Sequence, residues 1–504
     1  MTATVLGYTR TAGLSAWFFC TSLALAQASG TTTDAVPTPQ QLQKSMQRLS
    51  VDLAAAQERL QQSQLEIQRL QQEMLLMQAQ LAKATGSPLP APAPPPSATA
   101  QETDEKVDIL QAEVKQHAQA KVESISKYPV RVTGLILFNS FVDKGGVDNI
   151  DIPASANPPT AGVSNLSAGA SVRQTILGVQ ATGPRLLGAQ TSGEVSVDFD
   201  GGIPYSSYGT TAGIVRMRSA ALRLQWDNDS AEVGFVGPLI SPLSPASYAS
   251  VAEPALAGAG NLWTWAPQLS FEHRFPVTGA TRIALQVGLW DPPAAGYNLN
   301  ALFRTPSAGE RTGQPAYETR TSYSRGTVDH GLQLGLGGYY SRQSYTGRSG
   351  DSWAATGDWR IPVGSFFELS GEAYRGRSIG GLGGGVYKDI VTGTDPVSGL
   401  STFRLLNAGG GWAQAKFHLT RTFEANGAFG LDDGFTRDFH SLILSASASG
   451  NQLRARNRMA SMNLIFTPKT YLILSPEFRR IWTWPISGLP ATANIFTLSF
   501  ALRF

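Results

Sequence analysis

Ala493-Asn-Ile-Phe-Thr-Leu-Ser-Phe-Ala-Leu-Arg-Phe504 closes the chain, and it alternates without a break. Phe496, Leu498, Phe500, Leu502 and Phe504 share one parity, while Thr497, Ser499, Ala501 and Arg503 share the other. Successive side chains of a strand point to opposite faces, so this segment reads as a strand with one large apolar face and one small polar face. A soluble sandwich also uses half-buried strands, but soluble termini tend to fray. An aromatic as the very last residue therefore asks for a paired edge and an apolar surround.

Working back from that strand, the chain shows sixteen strand-like segments from Val130 onward. Their spans are 130–142, 171–182, 191–200, 215–226, 231–238, 268–275, 281–290, 316–326, 331–342, 351–360, 365–376, 410–421, 423–431, 453–466, 470–482 and 493–504. Short connections such as Asp227-Asn-Asp229, Pro276 to Ala280 and Pro468-Lys469 alternate with Gly/Pro/Ser-rich ones at 143–170, 239–266, 291–315, 377–409 and 432–452. No run of 18 apolar residues follows the extreme N-terminus, so no transmembrane helix is expected. A chain without one can still span lipid as a closed barrel, because every backbone donor and acceptor must then be paired. The reading is an all-β, 16-stranded antiparallel outer-membrane β-barrel over 128–504, with both termini in the periplasm.

The strands support two faces. In Thr281 to Trp290, Ile283, Leu285, Val287 and Leu289 should face lipid, with Arg282 and Gln286 lumenal. In Gln268 to Phe275, Leu269, Phe271 and Phe275 should face out and Glu272 and Arg274 in, which leaves His273 outward and suited only to an interface. Trp290, Trp353, Trp359, Trp412, Trp482 and Trp484 lie near strand ends, where interfacial aromatic girdles are expected.

Upstream of the barrel the organisation changes. Residues 1–26 read as a secretory signal peptide with Ala24-Leu25-Ala26 before the cut, and 27–39 as disordered. Cys20, the only cysteine, falls within the signal, so no disulfide scaffold is expected. Leu42, Met46, Leu49, Leu53, Ala56, Leu60, Ser63, Ile67, Leu70, Met74, Met77 and Leu81 alternate by four and three, the a/d seam of a coiled coil over 40–84. At 1.5 Å per residue this helix is about 60 Å long. Its mixed Leu, Ile and Met at a positions lack the Ile/Val choice that favours dimers, which leaves a trimer open. A Pro-rich linker at 85–104 and a short helix at 105–127 lead into the barrel.

Charge is sparse, at 15% of residues, and the formal net charge of +3 argues against nucleic acid as a partner. From Tyr128 onward there are 26 Arg and 4 Lys against 26 Asp plus Glu. Arginine offers a fixed fork to carboxylates and phosphates. Arg454, Arg456 and Arg458 share a parity and should stack as a ladder on the lumen wall, joined as basic lining by Arg223, Arg274 and Arg282. Glu194, Asp198, Asp200 and Glu272 should form the acidic lining. Opposed charge in a narrow channel gives a transverse field that sorts solutes. The stretch Leu239 to Ala266, carrying Tyr248, Glu253, Trp263 and Trp265, is the candidate constriction loop, with a plain surface loop as the alternative. His117, His273, His330, His418 and His440 lie at neither metal-ligand spacing nor beside a nucleophile motif, so no enzyme, metal or cofactor is expected.

Val132-Thr-Gly-Leu-Ile-Leu-Phe-Asn139, Ser171-Val-Arg-Gln-Thr-Ile-Leu-Gly178, Gly193-Glu-Val-Ser-Val-Asp-Phe-Asp-Gly201 and Val215-Arg-Met-Arg-Ser-Ala-Ala221, behind a heptad region and a linker, resemble the DcaP-like trimeric outer-membrane porins and, more distantly, the phosphate-selective porins. The resemblance implies a trimeric barrel that passes small anionic solutes, dicarboxylates among them, and a periplasmic coiled coil. It also implies a lumenal Arg216/Arg218 pair, although Ser219-Ala220-Ala221 departs from the family's His-Ala-Tyr and the parity of Leu222 and Leu224 conflicts unless a bulge intervenes. The terminal strand resembles the signal read by the barrel-assembly machinery, which makes Phe504 its contact. Expected partners are thus outer-membrane lipid, two further copies of the chain and that machinery. The alternative is a structural tether in which the coiled coil spaces the membrane from peptidoglycan and the barrel is mainly an anchor.

Overall fold

The structure is a computed structural model that describes residues 128–203, 213–295, 304–327, 331–345, 348–444 and 453–504. The expected signal peptide, coiled coil, linker and short helix lie outside the described residues, as do His117 and His330.

Strand β1 is Val130–Lys144, and β2 runs in two pieces, Leu166–Ser171 and Ile176–Leu186, both paired with β1. The wall continues through β3 (Ala189–Asp198), β4 (Arg216–Gln225), β5 (Asp229–Val236), β6 (Ala266–Thr278) and β7 (Thr281–Trp290). Next come β8 (Ala316–Arg325), β9 (Leu332–Tyr345), β10 (Arg348–Val363), β11 (Phe367–Arg377) and β12 (Asn407–His418). It ends with β13 (Phe423–Gly434), β14 (Arg454–Lys469), β15 (Leu472–Pro485) and β16 (Ala491–Arg503). With the two pieces of β2 taken as one strand, sixteen antiparallel strands form a closed ring in which β16 returns to β1. Each of the sixteen expected segments corresponds to one strand. Among the described residues no helix is long and apolar enough to cross a membrane.

Turns such as Leu187-Gly188, 226–228 and Thr470-Tyr471 close one rim, while 145–165, 237–265, 291–315 and 378–406 connect strands at the other. Several expected boundaries move by a few residues, and one move has a visible cause. Strand β6 continues through Pro276 to Thr278, and a register shift at Thr281/Arg282 absorbs the proline that cannot donate to the ladder.

The closing seam explains the terminal aromatic. Phe504 N donates to Gly134 O at 3.1 Å, and Gly134 N donates to Phe504 O at 2.9 Å. A Cβ on Gly134 would stand 2.5 Å from Phe504 Cζ, so the ring lies across the glycine. The last residue is thereby a rung of the ladder that removes the sheet edge.

Exposure separates the two faces. Leu285, Phe271 and Phe500 are 41, 44 and 46% exposed, while the alternate residues Glu318, Glu477 and Ser499 are buried inside the barrel. An outward band this apolar fits lipid contact and no aqueous surface. His273 lies at the short-turn rim, where its Nδ1 is 2.6 Å from Asp229 Oδ1 and its ring packs edge-on against Phe275. Trp290 and Trp412 correct the girdle expectation, because both face inward and are buried, Trp290 against Tyr339 and Trp412 among Leu256 and Ala259. A lumen occupied by a loop gives the wall something apolar to cover, and inward aromatics cover it.

Candidate functional site

The segment 237–265 has no regular secondary structure, so its backbone groups must find other partners. The barrel wall supplies them in sequence. Leu239 N donates to Glu318 Oε2 (2.8 Å), Leu243 N to Glu372 Oε1 (2.8 Å) and Ala246 N to Gln414 Oε1 (2.7 Å). Ser247 Oγ donates to Glu477 Oε2 (2.5 Å), while Thr356 Oγ1 donates to Ile240 O (2.8 Å) and Asn463 Nδ2 to Ala246 O (2.8 Å). The loop thus runs round the inside of the wall from β8 to β15 and on to β1, where Asn139 Nδ2 donates to Tyr248 O at 3.3 Å. The candidate constriction loop lies inside the barrel.

Two features of the early strands anchor its far end. The break in β2 turns Gln174 inward, where its amide donates to Ala249 O at 3.0 Å and accepts from Val251 N at 2.7 Å and Ala252 N at 3.1 Å. In β4 the pairing jumps from Ser196↔Ser219 to Val197↔Met217, a bulge that carries one extra residue. Arg216 and Arg218 therefore both face the lumen while Leu222 stays outward, which resolves the parity conflict in the sequence. Their guanidiniums donate to Ala252 O at 2.8 Å and Val251 O at 2.9 Å, and bind the fully buried Asp198 at 2.8 and 3.0 Å. The Trp265 ring lies 5.2 and 5.1 Å from the two guanidinium carbons. Trp263 N donates to Leu382 O at 3.0 Å and its Nε1 to the Tyr387 hydroxyl at 3.2 Å, so residues of 378–406 cover the loop. Gly260, with φ of +99°, passes so close to Gly411 O and Leu431 O that any side chain there would collide with the wall.

Burial pushes the Glu253 carboxyl on this loop up to about 7. The Asp200 carboxylate adds to the rise and Arg216 opposes it. Because the folded value lies above the ordinary 4.5, the proton is held in the folded state and lost as pH rises through about 7. Above that pH a further negative charge stands near Asp148, Asp198 and Asp200. The ratio of anion to cation passage through the lumen should therefore fall between about pH 6 and about pH 8, and E253Q should remove most of that fall. A zero-current potential titrated with pH reads both, and an equal slope in E253Q would contradict the assignment.

Below the loop lies a cavity of about 320 Å³ lined by Leu243, Arg360, Glu368, Gln414, Lys416 and His418 among others. Lys416 Nζ and His418 Nδ1 stand 3.6 and 3.7 Å from the Glu424 carboxylate. Arg360, Lys416 and His418 share the lumenal parity of their strands. Their signal in the sequence is Gln414-x-Lys416-x-His418 alternating with Ala413, Ala415 and Phe417, the same period-2 pattern that identifies the strands.

The other expected lining residues divide. Arg223 pairs with Glu194 at 3.0 Å and with Glu232, and Arg274 with Glu272 at 3.2 Å, all on the inner wall with Arg282. Asp200 binds Arg173 at 3.0 Å, so the acidic lining is consumed by ion pairs. Tyr248, Glu253, Trp263 and Trp265 all belong to the inserted loop, and the Tyr248 hydroxyl accepts from Arg503 at 2.8 Å. The arginine ladder does not form. A register irregularity between Arg454 and Arg456 turns only Arg454 inward, to Asn157 at 3.0 Å and Asp148 at 3.5 Å. Arg456 and Arg458 share the parity of Met462 and Leu464 and face outward, because Asn457 and Met459 take the buried inner positions.

No protein-family model matches the chain, and no curated protein does. Among solved structures it is similar to the outer membrane channel DcaP of Acinetobacter baumannii, at a TM-score of 0.54 and 15% identity over 75% of this chain and 97% of that one. It is also similar to an anion-selective porin from Comamonas acidovorans (TM-score 0.47, 11% identity, 75% and 100% covered) and to OprB of Pseudomonas putida (0.47, 12%, 77% and 97%). The barrel fold is that of the DcaP channel, whose family the sequence resembles.

Proposed function

We propose that this chain is a DcaP-like outer-membrane porin that passes small hydrophilic solutes without energy input and mildly prefers anions such as dicarboxylates. The observation that carries this reading is a loop bound round the lumen of a sixteen-stranded barrel above a cavity with the cations Arg360 and Lys416 on its wall. Sixteen strands enclose more space than side chains alone fill, whereas an anchor could manage with fewer. The loop occupies part of that space, which brings the charged wall nearer to a passing solute. Glu318, Glu372 and Glu477 are buried against the loop and accept hydrogen bonds from it, so their carboxyl groups are not offered to a passing ion. Arg360, Lys416 and His418 face Glu368 and Glu424, and this near balance suits weak attraction: a solute must be drawn in and still leave. The heptad seam supports assembly of three copies, which native mass measurement of the extracted protein tests.

Proteoliposome permeation tests the solute preference. Succinate should enter faster than a neutral sugar of similar size, and R360Q/K416Q should lower the succinate rate at least threefold while the sugar rate holds. Equal loss of both rates would make the two residues structural, and no permeation by either solute in wild type would remove the channel reading.

A further inference from the structure

Solute passage leaves the outward arginines without a role. Arg375 of β11, Gly409 of β12, Asp433 of β13, Arg456 of β14 and Trp484 of β15 are successive register partners across five strands. The next outward row reads Ala373, Gly411, Leu431, Arg458 and Trp482, and Arg480 follows opposite Ala460. Directly beneath lies the apolar wall of Met462 and Leu464 on β14 and Leu472, Leu474 and Phe478 on β15. Ten positions separate Leu472 from Trp482, the register partner of Arg458; that is about 33 Å of strand, which at the usual barrel tilt rises about 25 Å, the height of an outer-membrane apolar band. The cations thus sit at the upper edge of the hydrocarbon layer, on the long-loop side, where lipid headgroups begin.

Their pairing is incomplete. Arg456 meets Asp433 at 2.6 Å, but among the described residues neither Arg458 nor Arg480 has a carboxylate within 4.0 Å. Instead their guanidiniums lie over Trp484 at 5.0 Å and Trp482 at 5.1 Å, and Arg458 Nε is buried without a hydrogen-bond partner. Arg458 and Arg480 are diagonal neighbours, about 7 Å apart along the sheet. A charge at the edge of lipid is costly unless an opposite charge meets it, and an arginine fork matches a phosphate bidentately. On the opposite wall β6 and β7 present Leu269 and Leu289 near the same rim, so the patch belongs to one sector.

We propose that Arg456, Arg458 and Arg480, steadied by Trp482 and Trp484, form a binding site for the phosphate groups of a phosphorylated outer-leaflet glycolipid. A second copy of the chain is the less suitable occupant. In a cyclic assembly a neighbour would have to offer an acidic patch from another sector, and the outward carboxylates of the strands near this rim are Asp351 and Asp433, both within or beside the cationic rows.

The full chain, extracted in detergent, is titrated with diphosphoryl lipid A and with its dephosphorylated form, and bound lipid is read by native mass spectrometry. Wild type should retain the diphosphoryl form at least tenfold more strongly than the dephosphorylated one. R458Q/R480Q should lose that difference, and R458K/R480K should keep part of it. Heat-modifiability on cold gels verifies that each variant is folded. Inorganic phosphate at the lipid concentration should not compete, and if it does the site is one for free phosphate and the proposal fails. Equal retention of both lipids, or loss of oligomer in R458Q/R480Q with no lipid bound by wild type, would also overturn it, the latter by making the patch a contact between copies.

Discussion

The double variant Q174L/D198A should raise single-channel conductance at least twofold. Gln174 holds three backbone groups of the inserted loop, and leucine leaves all three without partners inside the barrel. Each orphaned group costs about 1–3 kcal/mol, so the segment from Ala249 to Ala252 loses on the order of 3–9 kcal/mol of attachment. Asp198 is the buried counter-charge of Arg216 and Arg218, and breaking a buried pair costs about 3–5 kcal/mol. The barrel ladder is untouched, so the loop should leave the wall and let solvent in before any strand unpairs. Conductance in planar bilayers measures this, with heat-modifiability as the check on folding. A folded double variant with wild-type conductance would mean that the loop does not set the narrowest passage.

Gly134→Val should reduce assembled, membrane-inserted protein to below about one tenth of wild type, a loss on the scale of overpacking a tight site. A Cβ at this position meets Phe504 Cζ at 2.5 Å and Ile176 O at 2.8 Å, and the second contact is backbone that cannot rotate away. Both fall on the seam where β16 meets β1 and β1 meets β2. Deleting Phe504 should act in the same direction, because it removes the rung with Gly134. Gly427 makes the control: a Cβ there meets nothing within 4 Å, so G427A should assemble normally. Quantifying folded protein on cold gels of outer-membrane fractions tests all three. Normal assembly of G134V would show that the seam tolerates displacement of the terminal ring.

The wall was legible from the N-terminal edge of β1 to Phe504 because alternation is a local signal, set by one residue and the next. What alternation cannot convey is where it slips. Arg216 and Arg218 came to one face through a bulge, and Arg454 parted from Arg456 and Arg458 through another irregularity. The first has no glycine or proline at the slip, and the second has one only on the partner strand, where Pro485 is opposite Arg454. Trp290 and Trp412 were misread for a related reason: strand ends near an interface and strand positions facing an inserted loop carry the same residue type, and only the fold tells them apart. The insertion of 239–266 was readable as a long Pro- and Ala-rich stretch with two tryptophans, yet its anchors were not. Gln174, Glu318, Glu372 and Gln414 lie far from it in sequence, and each is one polar residue among many on an inner face. Arg360, Lys416 and His418 were within reach of the same parity rule that placed Glu272 and Arg274 inside.

The zero-current potential of the wild-type chain in a planar bilayer, under a tenfold gradient of potassium chloride near pH 6, tests the central claim most directly. The sign should correspond to chloride passing faster than potassium, with a ratio of only a few, and R360Q/K416Q should move the potential toward zero. A wild-type potential of the opposite sign, or a membrane that stays silent with folded protein present, would contradict an anion-preferring channel built on this lumen.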